Sequence, residues 1–433
     1  MDLLTVSLTL SVILVILLGS TVWIGISLFV VGLAGLMIFT SLPATTILAN
    51  IAWNNTSGST MLALPLFIFM GEILFRSKIS ENLFKGLAPW MDPVPGRLLH
   101  VNIFASALFA AVSGSSAATT ATVGKITLPE FQKRNYDRKL GIGSLAGAGT
   151  LGFLIPPSMM MLVYGIMADV SIGKLFMAGF IPGIIIAVAF SGYVMFRCIQ
   201  NPDLAPSSKS EYTWHDRIYA IPLLAPVIIL VGAVLGSIYA GWATPTEAAA
   251  VGVVGALFFA ALSKSLTFDV FKDALMGAVK TSCMIMWIVC GAAFLSVTVG
   301  YLGIARKLTQ FIADMGVSPY MLIIVLSIMY LFMGCLLDGF SMIVMSLPIS
   351  LPLIQQAGFD PIWFGIYLVI MIQLAQITPP VGFNLFVING LIDEDIGKIA
   401  VSALPFFILL LIVTAFLTIF PGIVLYLPSL MAG

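Results

Sequence analysis

The chain has 433 residues, 60% of them hydrophobic and only 9% charged, with a net charge of zero and a mean hydropathy of +1.11. Soluble domains carry about 25% charged residues, so this composition excludes a soluble globular protein and indicates an all-α polytopic membrane protein. There is no HExxH, and the Gly-Lys pairs at Gly124, Gly173 and Gly397 are each followed by Ile or Leu. The chain therefore shows neither a zinc-peptidase motif nor a Walker A loop, and any energy source is an ion gradient or another chain.

Apolar runs cover about residues 3–18 and 21–41. The first lacks a basic leader and runs straight into the second, so no cleaved signal peptide is expected. Residues 43–58 are uncharged and polar enough to lie along an interface, and a span follows at 60–75. The stretch from Arg76 to Arg97, with Lys78, Lys85 and several prolines, reads as a cytoplasmic loop by the positive-inside rule.

The next apolar stretch, 99–130, is interrupted by Ser113-Gly-Ser-Ser116. Each arm is about 14 residues, or about 21 Å, too short for a hydrocarbon core of about 30 Å. Beyond it lie Lys133, Arg134, Arg138 and Lys139, again cytoplasmic, so the stretch predicts a re-entrant hairpin. The alternative, one long tilted helix kinked at the serines, would put these four charges outside. Residues 140–168 cross the membrane but are broken by Gly147, Gly149, Gly152 and Pro156-Pro157. Residues 175–197 return, and 199–217 form the polar cytoplasmic joint.

Residues 1–198 thus make a first repeat and 218–433 a second. The second predicts spans at 218–238 and 247–263, a cytoplasmic amphipathic arm at 264–280, and a span at 281–300. A second hairpin at 319–353 breaks at Asp338-Gly339, a second broken helix covers 361–390, and a last run covers 401–427. The spacings match. Leu128-Pro129 precedes Pro156-Pro157 by 28 residues, and Leu351-Pro352 precedes Pro379-Pro380 by 28. Gly114 precedes Pro156 by 42 residues, and Gly339 precedes Pro379 by 40. Basic loops in one half face uncharged ones in the other, so the repeats are inverted, with about ten spans, two re-entrant hairpins and both termini periplasmic. Inverted repeats with paired broken helices are a transporter signature.

Unwound backbone inside a bilayer is tolerated where it lines a cavity. Ser113-Gly-Ser-Ser116 offers hydroxyls and carbonyls, and Gly152 to Pro157 offers further carbonyls. Hard oxygen ligands without a carboxylate suit a monovalent cation such as Na⁺. The mirrored set is Gly339, Phe340 and Ser341 opposite Gln376, Thr378 and Pro380. Alternatively these hydroxyls bond back to their own helices. Asp338 shapes the second ion site, carries a proton or orders the hairpin. Lys125 either meets an anionic substrate or snorkels to the interface. Glu72 and Glu247 read as braces or caps. The cysteines Cys198, Cys283, Cys290 and Cys335 form no CxxC and read as apolar core residues.

These residues resemble the large membrane subunit of tripartite ATP-independent periplasmic (TRAP) transporters, the DctM family of the ion-transporter superfamily. The likeness spans the chain and rests on SGSSAAT at 113, PEFQKRNYD at 129, GTLGFLIPPS at 149, TPTEAAAVG at 244, LDGFSMIVMSLPI at 337 and TPPVGFNLFVI at 378. It implies an elevator carrier in the bacterial inner membrane, with a transport domain sliding against a scaffold. It further implies a Na⁺ gradient as driving force, no cofactor, a separate small four-helix membrane subunit and a soluble periplasmic binding protein. The substrate would be an organic acid such as a C4-dicarboxylate, sialic acid or a sugar acid. By motif, one Na⁺ would sit among Ser113, Ser115, Gly152, Ile155 and Pro157, and a second near Gly339, Ser341, Thr378 and Pro380. Ser116, Lys125, Asp338 and Gln376 are the candidate substrate contacts. A stand-alone Na⁺/anion symporter of the same superfamily is the alternative. An intramembrane enzyme lacks any catalytic dyad with a partner.

Overall fold

The computed structural model describes residues 3–206, 212–314, 316–335, 337–380 and 382–431. Among these there is no strand; the fold is built of helices. The first half contains α1 (Leu3–Gly19), α2 (Ile24–Phe39), α3 (Ala44–Ser57), α4 (Ala63–Arg76), α5 (Ile79–Met91), α6 (Leu98–Ser113), α7 (Ser116–Lys133), α8 (Arg138–Gly149), α9 (Met159–Met167) and α10 (Ile172–Gln200). The second contains α11 (Trp214–Tyr239), α12 (Pro245–Leu262), α13 (Phe268–Tyr301), α14 (Ile304–Asp314), α15 (Pro319–Gly334), α16 (Gly339–Gln356), α17 (Pro361–Gln376), α18 (Phe383–Ile392), α19 (Ile396–Ile419) and α20 (Pro421–Leu430).

The halves correspond in their hairpins and broken helices. α6–α7 and α15–α16 are the hairpins; α8–α9 and α17–α18 are the broken helices. α2 packs on α13 as α12 packs on α4, and α7 packs on α18 as α16 packs on α9. The hairpins close at their open ends. Tyr136, just past α7, lies beside the Leu98 backbone where α6 begins. Tyr320 and Phe359 meet ring to ring, centroids 6.3 Å apart, at the mouth of the second.

The two broken helices run antiparallel. Arg138, at the start of the first, pairs with Glu394, past the end of the second, at 2.7 Å. At the other end, the Tyr164 hydroxyl of α9 donates to the Pro361 carbonyl at the start of α17, at 2.6 Å. This antiparallel pairing is what an inverted repeat requires.

Six helices among the described residues are long and apolar enough to span a membrane unaided, or seven if α3 and α4, bent by 61°, count as one. One of the six is α16, the second arm of a hairpin. The other expected crossings are broken or made of shorter apolar helices. Large exposed aromatics, Trp23, Trp214, Trp242 and Phe268, sit at helix ends, as in an interfacial belt.

Three expectations need correction. The arm at 264–280 is not separate from the span after it; α13 is one helix of 34 residues, about 51 Å long. Charge was the only boundary signal there, and charge does not stop a helix. The loop between Arg76 and Arg97 contains α5, whose Ile79, Leu83, Phe84 and Leu87 form a buried stripe. The last apolar run divides at Phe420-Pro421, where proline ends the backbone ladder between α19 and α20.

Glu247 caps α12 in a box with Thr244, its carboxylate accepting from the Thr244 N–H at 2.8 Å. Glu72 pairs with Arg76 at 3.0 Å, and Arg76 reaches Asp273 of α13 at 3.9 Å. Both acids are therefore scaffold parts.

Candidate ion and solute site

The first hairpin turns at Gly114, whose φ of 59° lies in the left-handed region that glycine enters freely. α7 restarts under a cap from Ser115, whose hydroxyl accepts from the Ala118 N–H at 3.3 Å. The Ser113 and Thr119 hydroxyls meet at 3.0 Å, and Thr119 donates to the Ser115 carbonyl at 2.8 Å. The tip is thus tied locally, as the back-bonding alternative anticipated, with the Gly114 N–H closing the α6 ladder on the Ala110 carbonyl and the Ser115 carbonyl opening that of α7.

The first broken helix faces this tip. α8 tightens into a 3₁₀ turn at Thr150–Phe153, and helix resumes only after Ser158, which caps α9 and donates its hydroxyl to the Phe153 carbonyl. Pro156 has no N–H, so the Gly152 carbonyl loses its helical partner. A Cβ at Gly152 would lie 3.1 Å from the Ser115 carbonyl oxygen, and one at Gly114 would lie 3.3 Å from the Pro157 carbonyl oxygen. Ser115 therefore meets Gly152, and Gly114 next to Ser113 meets Pro157, with Ile155 in the same break, while the Ser113 carbonyl itself lies against Gly71 of α4.

The second hairpin and break repeat this arrangement with different chemistry. Gly334 packs directly on Ala375, and the Cys335 thiol donates to the Pro379 carbonyl at 3.4 Å. Asp338 caps α16, accepting from the Phe340 N–H at 3.1 Å and from the Ser341 hydroxyl. Thr378 turns its hydroxyl back to the Leu374 carbonyl at 2.6 Å. Gly339 and Ser341 are buried, Asp338 is half-buried, and Pro380 is exposed.

α7 and α16 have 18 residues each, with Pro129 and Pro352 at the same place in both. The structural register therefore pairs Ser116 with Gly339 and Ser115 with Asp338, not Gly114 with Gly339. Ser116 and Gly339 each precede their proline pair by 40 residues. The register also pairs Thr150 with Gln373, and those two side chains bond each other at 3.2 Å, where the pseudo-twofold axis passes. One cap is a neutral hydroxyl and its mirror image is a carboxylate.

Ser116 is fully buried and donates to Asn384 of α18 at 2.8 Å. Gln376 is buried with its side-chain oxygen unpartnered, as are the Gln373 and Asn384 amide nitrogens and the Thr120 hydroxyl. Asn384, Gln373 and Thr120 escaped sequence reasoning; the only signal was an amide or hydroxyl in an apolar run beside a break. Lys125 is exposed and stands nine residues beyond Ser116, about 13 Å along α7, so the fold does not bring it to the tip.

Among the described residues, fully buried polar side chains are Ser, Thr, Asn, Gln and His100, with no buried acid, lysine or arginine. No group of three His, Cys, Asp or Glu converges there as metal ligands. What converges is helix ends. α6, α8, α15 and α17 bring C-terminal carbonyls to the breaks, and α7, α9, α16 and α18 bring N-termini. Carbonyl ends attract cations and amide ends attract anions.

The family model for the tripartite ATP-independent periplasmic transporter, DctM component, matches residues 10–423. The chain is 33% identical, over 86% of both chains, to the C4-dicarboxylate TRAP transporter large permease protein DctM of Pseudomonas aeruginosa. It is 29% identical to the sialic acid TRAP transporter large permease protein SiaM of Vibrio cholerae, over 95% of both. The solved YdaH transporter of Alcanivorax borkumensis matches with a TM-score of 0.60 and 15% identity, covering 87% of this chain and 86% of that one, a likeness of fold. These relatives are named as transporters, not enzymes. The chain belongs to the DctM family, the large permease components of tripartite ATP-independent periplasmic transporters.

Proposed function

We propose that this chain imports a small organic acid across the bacterial inner membrane, driven by Na⁺ and supplied by a periplasmic binding protein. The observation that carries the reading is the meeting of each hairpin tip with a proline-broken helix, which sets carbonyl ends and amide ends around each break. A Na⁺ among Ser113, Ser115, Gly152, Ile155 and Pro157 would take the oxygens that the break leaves unpaired. A second would use Gly339, Ser341, Thr378 and Pro380. The N-termini of α7, α9, α16 and α18 favour a carboxylate. Both relatives compared above are named for acids, a C4-dicarboxylate and sialic acid. The substrate contacts would come from Ser116, Gln376 and the Asp338 cap, with Lys125 acting at longer range.

The hairpins and broken helices pack on one another, while α2, α4, α12 and α13 form a second packed group. An elevator motion slides the first group against the second. A separate small four-helix membrane subunit would pack on this chain. By the positive-inside rule, Lys133, Arg134, Arg138 and Lys139 favour an orientation with their end of the molecule in the cytoplasm and both termini in the periplasm.

The test is uptake of labelled dicarboxylates and sialic acid by proteoliposomes holding the permease with its small subunit, with and without binding protein, under Na⁺ or proton gradients. Uptake should require both Na⁺ and the binding protein. Uptake driven by protons alone would overturn the coupling, and uptake without binding protein would establish the stand-alone symporter.

A further inference from the structure

The first hairpin is held by a residue of the opposite repeat. Ser116 is the first residue of α7, adjacent to the Ser115 cap and to the Gly152 contact. Its hydroxyl donates to the Asn384 side-chain oxygen at 2.8 Å, with both residues fully buried. Asn384 is the second residue of α18, which starts directly after the second break and the left-handed Gly382. One hydrogen bond therefore joins the tip at the first ion locus to the helix that leaves the second.

The pseudo-symmetry shows that the fold does not need this bond. In the structural register Ser116 answers to Gly339, Thr120 to Ile343 and Asn384 to Met161. The mirrored position is apolar, with Gly339 packed on Ile372 and Met160. Helix packing at this place works with hydrocarbon alone. A buried polar group is costly unless it is paired, yet here the Asn384 amide nitrogen and the Thr120 hydroxyl have no hydrogen-bond partner. Thr120 also packs directly against Gly149 of α8, where a Cβ would fall 3.4 Å from that Asn384 nitrogen. Polar chemistry is retained on one side only, and it lies between the two loci.

We infer that Asn384 is a positioning residue that couples the two cation loci: ordering of the Ser113–Ser116 tip by the first ion is passed through Ser116 to α18 and the second break. The inference rests on the Na⁺ reading above. Coupling of this kind is a difference in affinity, so it appears in the cooperativity of Na⁺ activation rather than in the maximal rate. The mirrored Gly339–Met161 position carries no such bond, so the coupling runs through this one side.

The experiment is Na⁺ activation of uptake by the full complex in proteoliposomes, for wild type, Asn384→Ala, Asn384→Met, Ser116→Ala and the Ser116→Ala/Asn384→Ala pair. Asn384→Met places at this site the residue of the apolar mirror position, and serves if the alanine variant does not fold. Each single variant should raise the Na⁺ half-saturation about 5- to 10-fold, the scale of one buried hydrogen bond. Each should also lower the Hill coefficient toward one, and the Asn384 variants should keep uptake at saturating Na⁺ close to wild type. The double variant should add nothing to the singles, as expected for two ends of one bond. A Hill coefficient unchanged in folded variants, or strictly additive effects in the double variant, overturns the inference. A wild type with no Na⁺ activation instead overturns the coupling reading, so the two failures are distinguishable.

Discussion

At the residue scale, the repeats differ where they matter chemically. Ser115 and Asp338 hold the same position, each capping the second arm of its hairpin. Losing a cap costs about 1 kcal/mol, so Asp338→Ala should lower the melting temperature while Asp338→Ser restores it. If Asp338 only caps, Asp338→Ser also keeps Na⁺-dependent uptake; folded but inactive protein would give the carboxylate a direct role at the ion or solute. Ser115→Ala tests the other tip. Its hydroxyl contributes to the proposed ligand set, so the variant should need more Na⁺ for half-maximal uptake while remaining folded by size-exclusion chromatography. Unchanged Na⁺ activation would remove Ser115 from that set. Gly149 has a different constraint. A Cβ there would strike the Thr120 hydroxyl, so Gly149→Ala should cost about 1–3 kcal/mol through overpacking, read as a lower melting temperature.

At the element scale, the antiparallel broken helices are fastened at their ends. Glu394 accepts from Lys398 at 3.1 Å and from Arg138 at 2.7 Å, with its side chain 18% exposed. The hydrogen bond from Lys398, then the nearby Arg138 charge, hold its carboxyl below the usual carboxylate range. A depressed carboxyl stabilises the fold at neutral pH, and that contribution disappears as pH falls through the lowered value. Arg138→Gln should therefore melt below wild type at pH 7, and the difference should close as the pH is taken well below the ordinary carboxylate range. A constant gap would show that Arg138 acts through packing. Much of this layer was legible in the sequence. Proline pairs and glycines act on their own backbone, so the hairpins, the breaks and the 28-residue spacing could be read without a structure. The Ser116–Asn384 bond could not, because its partners lie 268 residues apart and each alone is one polar residue in an apolar helix. α5 was hidden for a different reason: its short amphipathic stripe lies among lysines and a proline that resemble loop chemistry.

At the scale of the whole molecule, everything follows from inversion. Two like halves that each cross the bilayer an odd number of times must sit in opposite senses, and only then can each half's broken helix lie antiparallel to the other's. The Arg138–Glu394 and Tyr164–Pro361 contacts bring the start of each broken helix to the end of its mate. Parallel copies would have placed start against start. The loop between α7 and α8 and the loop between α16 and α17 must then open on opposite faces. Lys133 and Gln356 are exposed at corresponding ends of α7 and α16. In a background with Cys198, Cys283, Cys290 and Cys335 replaced, Gln356→Cys should react with a membrane-impermeant maleimide in spheroplasts. Lys133→Cys should react only after the membrane is opened. The reverse pattern would keep the inversion but turn the molecule over, which would contradict the cytoplasmic placement proposed for the basic loop. Labelling of both from one side would mean parallel halves, and the proposed ion loci could not then share a pseudo-twofold axis through Thr150 and Gln373.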